Sequence, residues 1–146
     1  MPPRVTVNNL SELIDAITTA LVGTSGVGVM ELGRVLIDGT LYTKKSARVN
    51  ASASGNTQLI PAVPGKKIVL LSWNVGPASA AVTVIIHDAS TTPIVLAGPF
   101  PVATNGGTNN SVEKESDQES APGLAVNVNL SGAITGCPVS VTYVEK

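Results

Sequence analysis

The sequence predicts an all-β protein, a sandwich or barrel of short strands preceded by an arm that carries a helix and a β-hairpin. Three observations lead there. After Gly55 the chain breaks into six short runs rich in Val and Ile, separated by clusters of Gly, Pro, Asn and Ser. No apolar period of 3.6 residues appears in that region. Before it, Asp38-Gly39 stands between two apolar runs, the pairing that a tight hairpin turn selects because both central residues need positive φ.

The arm comes first in the chain. Leu10, Leu13, Ile14, Ile17 and Leu21 fall at i, i+3, i+4 and i+7 positions and form one apolar stripe, which predicts a helix over about 10–22. Asn9 and Glu12 have capping-box spacing, Glu12 and Asp15 sit where the helix dipole favours acids, and Gly23 is placed to end the helix. The stripe packs either on the chain's own sheet or against another subunit, and the sequence leaves both open. Gly23 to Gly28 is glycine-rich, but it lacks the lysine of a phosphate-binding loop and any strand before it, so it reads as a hinge. A hairpin follows over about 30–43. Lys44, Lys45 and Arg48 make a small basic cluster, either a solvated face or a docking patch for an acidic neighbour. Asn50 to Gly55 is a run of small residues that reads as a linker. These features place an arm over residues 1–54 and a β-domain over 55–146.

Within the β-domain the predicted strands are 57–63, 67–75, 81–87, 93–100, 124–130 and 139–144. Leu124, Val126, Val128 and Leu130 alternate with Ala125, Asn127 and Asn129, the pattern of a half-buried strand. Ile68-Val69-Leu70-Leu71 is a continuous apolar centre, and Trp73 in the same run reads as a core anchor. Short punctuated strands of this kind build sandwiches and barrels.

Composition narrows function. The chain of 146 residues has 9 basic and 10 acidic side chains, a formal net charge of -1, and only 13% charged residues. That balance excludes a broad basic field for nucleic acid and a polybasic membrane anchor. No apolar run approaches the roughly 20 residues that a membrane helix needs, and residues 1–4 do not begin a secretory signal. A surface of Ser, Thr, Asn, Gly and Ala repels its neighbours weakly, which suits assembly.

Side chains with chemistry are few. His87-Asp88 is the one candidate base pair, but neighbours on a strand point to opposite faces, so His87 reads as a solvent-facing residue beside a turn. No Gly-x-Ser-x-Gly elbow is present. Glu113, Glu115, Asp117 and Glu119 alternate between Ser111 and Ser120 without EF-hand spacing. They read as a mobile acidic loop or an acidic face that docks a basic surface. Cys137, the single cysteine, lies between Gly136 and Pro138 in a turn by composition and reads as inert. No catalytic residue, metal site or cofactor is expected.

Two stretches carry a resemblance. Gly55-Asn56-Thr57-Gln58-Leu59-Ile60 leading to Gly65-Lys66-Lys67-Ile68 resembles the opening of small tailed-phage virion proteins of the capsid decoration (cement) and head-fibre type. Leu124-Ala125-Val126-Asn127-Val128-Asn129-Leu130-Ser131-Gly132-Ala133, followed by Val139-x-Val141-x-Tyr143, resembles their close. The likeness spans 92 positions, 55–146, in strands and turns and in no catalytic motif. It implies a jelly-roll-like antiparallel β-sandwich that decorates the outer capsid surface of a virion after synthesis in the host cytoplasm. It further implies a homotrimer whose partner is the major capsid protein, while the charge balance and the lack of a long apolar run leave nucleic acid and membrane out as expected partners. The related alternative is a receptor- or glycan-binding module of a head or tail fibre. On either reading Leu10, Leu13, Ile14, Ile17 and Leu21 are candidates for an oligomer or capsid interface.

Overall fold

The computed structural model describes residues 33–111 and 119–146. The chain divides into two units at the Arg34/Val35 boundary, and almost all described residues belong to the second. The helix expected over 10–22, with its stripe of Leu10, Leu13, Ile14, Ile17 and Leu21, lies outside the described residues, as do residues 112–118 of the acidic stretch.

The described chain is all-β. A hairpin of β1 (Arg34–Ile37) and β2 (Thr40–Thr43) opens it, followed by β3 (Lys45–Ala51), β4 (Gly55–Ile60), β5 (Ile68–Val75), β6 (Val82–Asp88) and β7 (Val95–Val102). Then come β8 (Thr108–Ser111), β9 (Val126–Leu130) and β10 (Cys137–Glu145). The last eight strands form two antiparallel four-stranded sheets, ordered β3-β10-β5-β8 and β4-β9-β6-β7. At the hairpin turn, Asp38 and Gly39 have φ of 49° and 76°, the conformation for which the Asp-Gly pair is selected.

Alternation builds the core. Cys137, Val139, Val141 and Tyr143 of β10 and Val126, Val128 and Leu130 of β9 turn the same way as Ile68, Leu70, Val84 and Ile86, and both sheets contribute to one buried cluster. Trp73 anchors it as expected, buried and stacked on Phe100 with ring centroids 5.6 Å apart. A second, smaller cluster lies on the opposite side of β5 and β10. There Val69, Leu71 and Val144 are covered by Ile37 of the hairpin, with Val35 and Tyr42 packed against them. This explains the unbroken apolar run Ile68-Val69-Leu70-Leu71, since that part of β5 is covered on both faces.

The two clusters coexist on β5 because of a bulge. Thr142 faces Ser72, but Tyr143 faces Leu70, so Leu71 is an extra residue. Ile68 and Leu70 face the main core before it, and Trp73 and Val75 face the same core after it.

The structure moves the domain boundary. Residues 45–51, which the sequence assigns to an arm, form β3 and pair along β10 from Cys137↔Ala51 to Tyr143↔Lys45. Of the expected linker, Asn50 and Ala51 belong to β3 and Ala51 is fully buried, while Ala47 and Val49 before them pack on the core. The sandwich therefore begins before residue 55, and only the short turn 52–54 remains of the expected linker.

β8 has no counterpart in the sequence prediction, because Thr-Asn-Asn-Ser offers no apolar alternation. It is an edge strand held by Val75↔Thr108, Asn74↔Asn109 and Trp73↔Asn110. Its entry is tight: a Cβ on Gly107 would lie 2.5 Å from the Val75 carbonyl oxygen. Gly107→Ala is therefore expected to cost about 2 kcal/mol, as overpacking against backbone does. Urea denaturation would show this, and an unchanged midpoint would refute it. β7 carries Pro99 and Pro101 and tolerates them because it is the other sheet's edge.

Candidate functional site: the outer face of the β3-β10-β5-β8 sheet

The inward residues of β3, β10 and β5 are apolar, so the intervening residues are presented outward. Two cross-strand rows result. Arg48, Ser140, Asn74 and Asn109 stand opposite one another across all four strands, and Ser46, Thr142, Ser72 and Ser111 occupy the next register row. Arg48 is the only charge in either row.

This face is not flat. A depression of about 440 Å³ is lined by Ser46, Ser72, Asn74, Asn109, Ser140 and Thr142, with Trp73 and Val141 at its floor positions. A second, of about 370 Å³, runs past Arg48, Asn74, Gly76, Pro138 and Ser140. A third, of about 440 Å³, joins Arg48 to Asn50, Ser79, Thr135 and Gly136. Asn74 and Ser140 are shared by the first two and Arg48 by the last two. Together they make a neutral, hydroxyl- and amide-lined groove with one guanidinium in it. Its chemistry is hydrogen bonding plus recognition of a single anionic group, which a planar guanidinium binds in bidentate fashion.

At the hairpin end of the sheet an ion network ties the structure together. Lys146 Nζ lies 2.6 Å from Asp38 Oδ2 and 2.7 Å from Glu119 Oε1, while Lys67 Nζ lies 3.0 Å from Glu119 Oε2. The backbones of Lys67 and Lys146 exchange two hydrogen bonds of 2.9 Å. Hydrogen bonds from Lys146 and then Lys67 hold the Glu119 carboxyl below its ordinary range. Glu119, the last acid of the alternating stretch, is thus a structural partner in its own chain.

His87 is buried, contrary to the solvent-facing position that the sequence suggests. β6 is an inner strand, so His87 has register neighbours on both sides, Asn127 and Val95. Its Nδ1 donates to the Asp88 carbonyl at 2.6 Å, and its Nε2 lies 3.0 Å from Asn56 Oδ1. Asn56 Oδ1 accepts from Asn129 Nδ2 at 2.6 Å. The Asp88 carboxylate is fully buried and turned to other partners, accepting from Ser90 Oγ (2.6 Å), Ile94 N (2.9 Å) and Ala121 N (2.8 Å). His87 and Asp88 are therefore neighbours without a ring–carboxylate hydrogen bond, each occupied in holding strands or loops.

Cys137 is the first residue of β10 rather than part of a turn, and it is buried. Burial pushes its thiol pKa up, away from the thiolate that reactivity needs. Among the described residues no group of three His, Cys, Asp or Glu gathers as metal ligands, and no helix is long and apolar enough to cross a membrane.

Sequence reasoning found Arg48 only as one of three clustered cations. The signal that could have placed it is the alternation of Ser46, Arg48 and Asn50 with Ala47, Val49 and Ala51, which marks a strand whose polar face is open. No family model and no curated protein matches the chain.

Proposed function

We propose that this is a structural virion protein, a capsid decoration (cement) protein that binds the outer surface of a phage head as a trimer and stabilises the lattice of the major capsid protein. The observation that carries the reading is strand order. Counting from β3 as strand 1, the sheets run 1-8-3-6 and 2-7-4-5. That arrangement of eight antiparallel strands supports a jelly roll, the architecture built from two Greek keys and found in viral capsid and lectin domains. The likeness of residues 55–146 to decoration and head-fibre proteins points the same way. No catalytic step, cofactor, nucleic acid or membrane enters this function.

Physically, such a protein acts by mass action. Any molecule that binds the assembled shell but not its dissociated subunits stabilises the shell by an amount that grows with the logarithm of its free concentration over Kd. A trimer that touches several capsid subunits gains effective concentration at each further contact, so individually weak polar contacts suffice. A surface low in charge, such as the groove with its single cation, suits contact with large neighbouring subunits.

A second reading, a receptor- or glycan-binding module of a head or tail fibre, draws on the same groove, whose hydroxyls and amides suit neutral sugars. The test is to incubate the purified protein with expanded and unexpanded heads and, separately, with a glycan array. Saturable binding to expanded heads and a raised shell melting temperature are expected. Absence of head binding with selective glycan capture would replace decoration with the fibre reading.

A further inference from the structure

In the order β3-β10-β5-β8, β3 and β8 are the two edges of one sheet, and the sequences at the first and after the second differ in charge. β3 is the edge that carries Lys45 and Arg48, with Lys44 just before it. β8, the other edge, ends at Ser111 and leads into 112–118, which contains Glu113, Glu115 and Asp117 against the single cation Lys114.

Two charges flanking these edges, Lys45 and Glu119, have partners in the chain. Lys45 Nζ is 2.7 Å from Glu145 Oε1, and Glu119 is held by Lys67 and Lys146. Arg48 differs: among the described residues no carboxylate lies within ion-pair distance of it. It is exposed in the groove, with the Ser140 hydroxyl and the Asn74 amide in the same cross-strand row. A guanidinium, a hydroxyl and an amide side by side are donors suited to carboxylate oxygens.

We propose that the Arg48 groove receives the acidic segment 112–118 of a second copy, so that copies join head to tail through opposite edges of the same sheet. Charge complementarity selects this occupant: the groove presents a cation among neutral donors, and residues 112–118, which follow β8 in the sequence, contain three carboxylates. A contact between two different surfaces of identical chains is heterologous, and it closes into a ring where the rotation allows. This deepens the trimer element of the proposed function and rests on that reading only for the number of copies in the ring.

The experiment is a charge swap read by light scattering over a dilution series, at about 0.05 M and about 0.5 M salt, because screening separates charge-driven from apolar association. The unaltered protein is compared with Arg48→Glu, with the triple variant Glu113→Lys/Glu115→Lys/Asp117→Lys, and with all four changes combined. Association of the unaltered protein is expected to weaken at the higher salt. Each one-sided variant is expected to associate at least about tenfold more weakly, and the combined variant to recover.

The proposal is overturned by unaltered association in both one-sided variants, by failure of the combined variant to recover, or by a monomer at all concentrations at low salt. It is also overturned if the variants change melting temperature with no change in mass, the result for a segment docked within its own chain. Head binding by the same four proteins separates this inference from the proposed function. Association that ignores Arg48 while heads are bound removes only the groove contact; intact charge-swap behaviour without head binding removes only decoration.

Discussion

Asp88→Ala is expected to destabilise the protein by about 4 kcal/mol, among the largest effects of any single substitution. The reason is the number of donors that converge on one buried carboxylate. Oδ1 accepts from the Ser90 hydroxyl at 2.6 Å and from the Ser90 and Ile94 amides at 3.3 and 2.9 Å, and Oδ2 accepts from the Ala121 amide at 2.8 Å. Together they pin the β6–β7 loop and the strand-free segment before β9 to the end of β6. Alanine leaves those amides without an acceptor, and each unsatisfied buried donor costs about 1–3 kcal/mol. Asp88→Asn keeps the shape but turns an amino group towards a donor, and about 2 kcal/mol is expected.

The same carboxylate gives stability an acid limb. Burial alone would raise the Asp88 pKa, but the Ala121 amide, the Ser90 hydroxyl and the Ile94 and Ser90 amides outweigh it and hold the value below the ordinary one. A carboxyl whose folded pKa is lowered contributes its full stabilisation above the unfolded value, about 3.9. That contribution is lost as pH falls through the folded value. Glu119, lowered by Lys146 and Lys67, acts in the same direction. Urea midpoints between about pH 7 and about pH 2 should fall steeply at the acid end in the unaltered protein and less steeply in Asp88→Ala. Parallel curves would show that Asp88 does not carry the acid limb.

The second large effect is expected at the hairpin. Ile37→Ala should cost about 3 kcal/mol, since a buried isoleucine truncated to alanine loses its transfer free energy and leaves a cavity. Ile37 is 4% exposed and covers Val69, Leu71 and Val144 on the face of the sheet away from the main core. If the hairpin is an integral second layer, the loss appears in global urea unfolding. If only local fluorescence or proteolysis at the hairpin changes and the global midpoint stays put, the small cluster folds independently of the sandwich.

How far the sequence led can be judged residue by residue. Val126 to Leu130 and Val139 to Tyr143 were legible because each has one wet and one dry face, so period two survives in the letters. Asp38-Gly39 was legible because few dipeptides adopt positive φ twice. β8 was not, because an edge strand of Thr, Asn and Ser is held by backbone pairing that leaves no apolar signature. β3 was missed for a related reason: alanines at inward positions look like linker residues until a neighbouring strand shows what they face. His87 was misread since burial of a polar ring depends on Asn56, 31 positions away. The groove around Arg48 is a property of register, with Arg48, Ser140 and Asn74 far apart in the chain, and only the pairing brings them into one row.

The bulge at Leu71 has a further meaning when β5 is considered as two segments out of phase by one residue. Upstream of it the even-numbered positions face the main core; downstream the odd-numbered ones do. Were strict alternation to run through Leu71 with no bulge, Trp73 and Val75 would turn towards solvent and Ser72 and Asn74 would turn inward. Half of the polar groove would vanish together with the stacked Trp73–Phe100 pair. One inserted residue thus lets a single strand belong to a dry hairpin-covered layer at one end and a bare polar surface at the other.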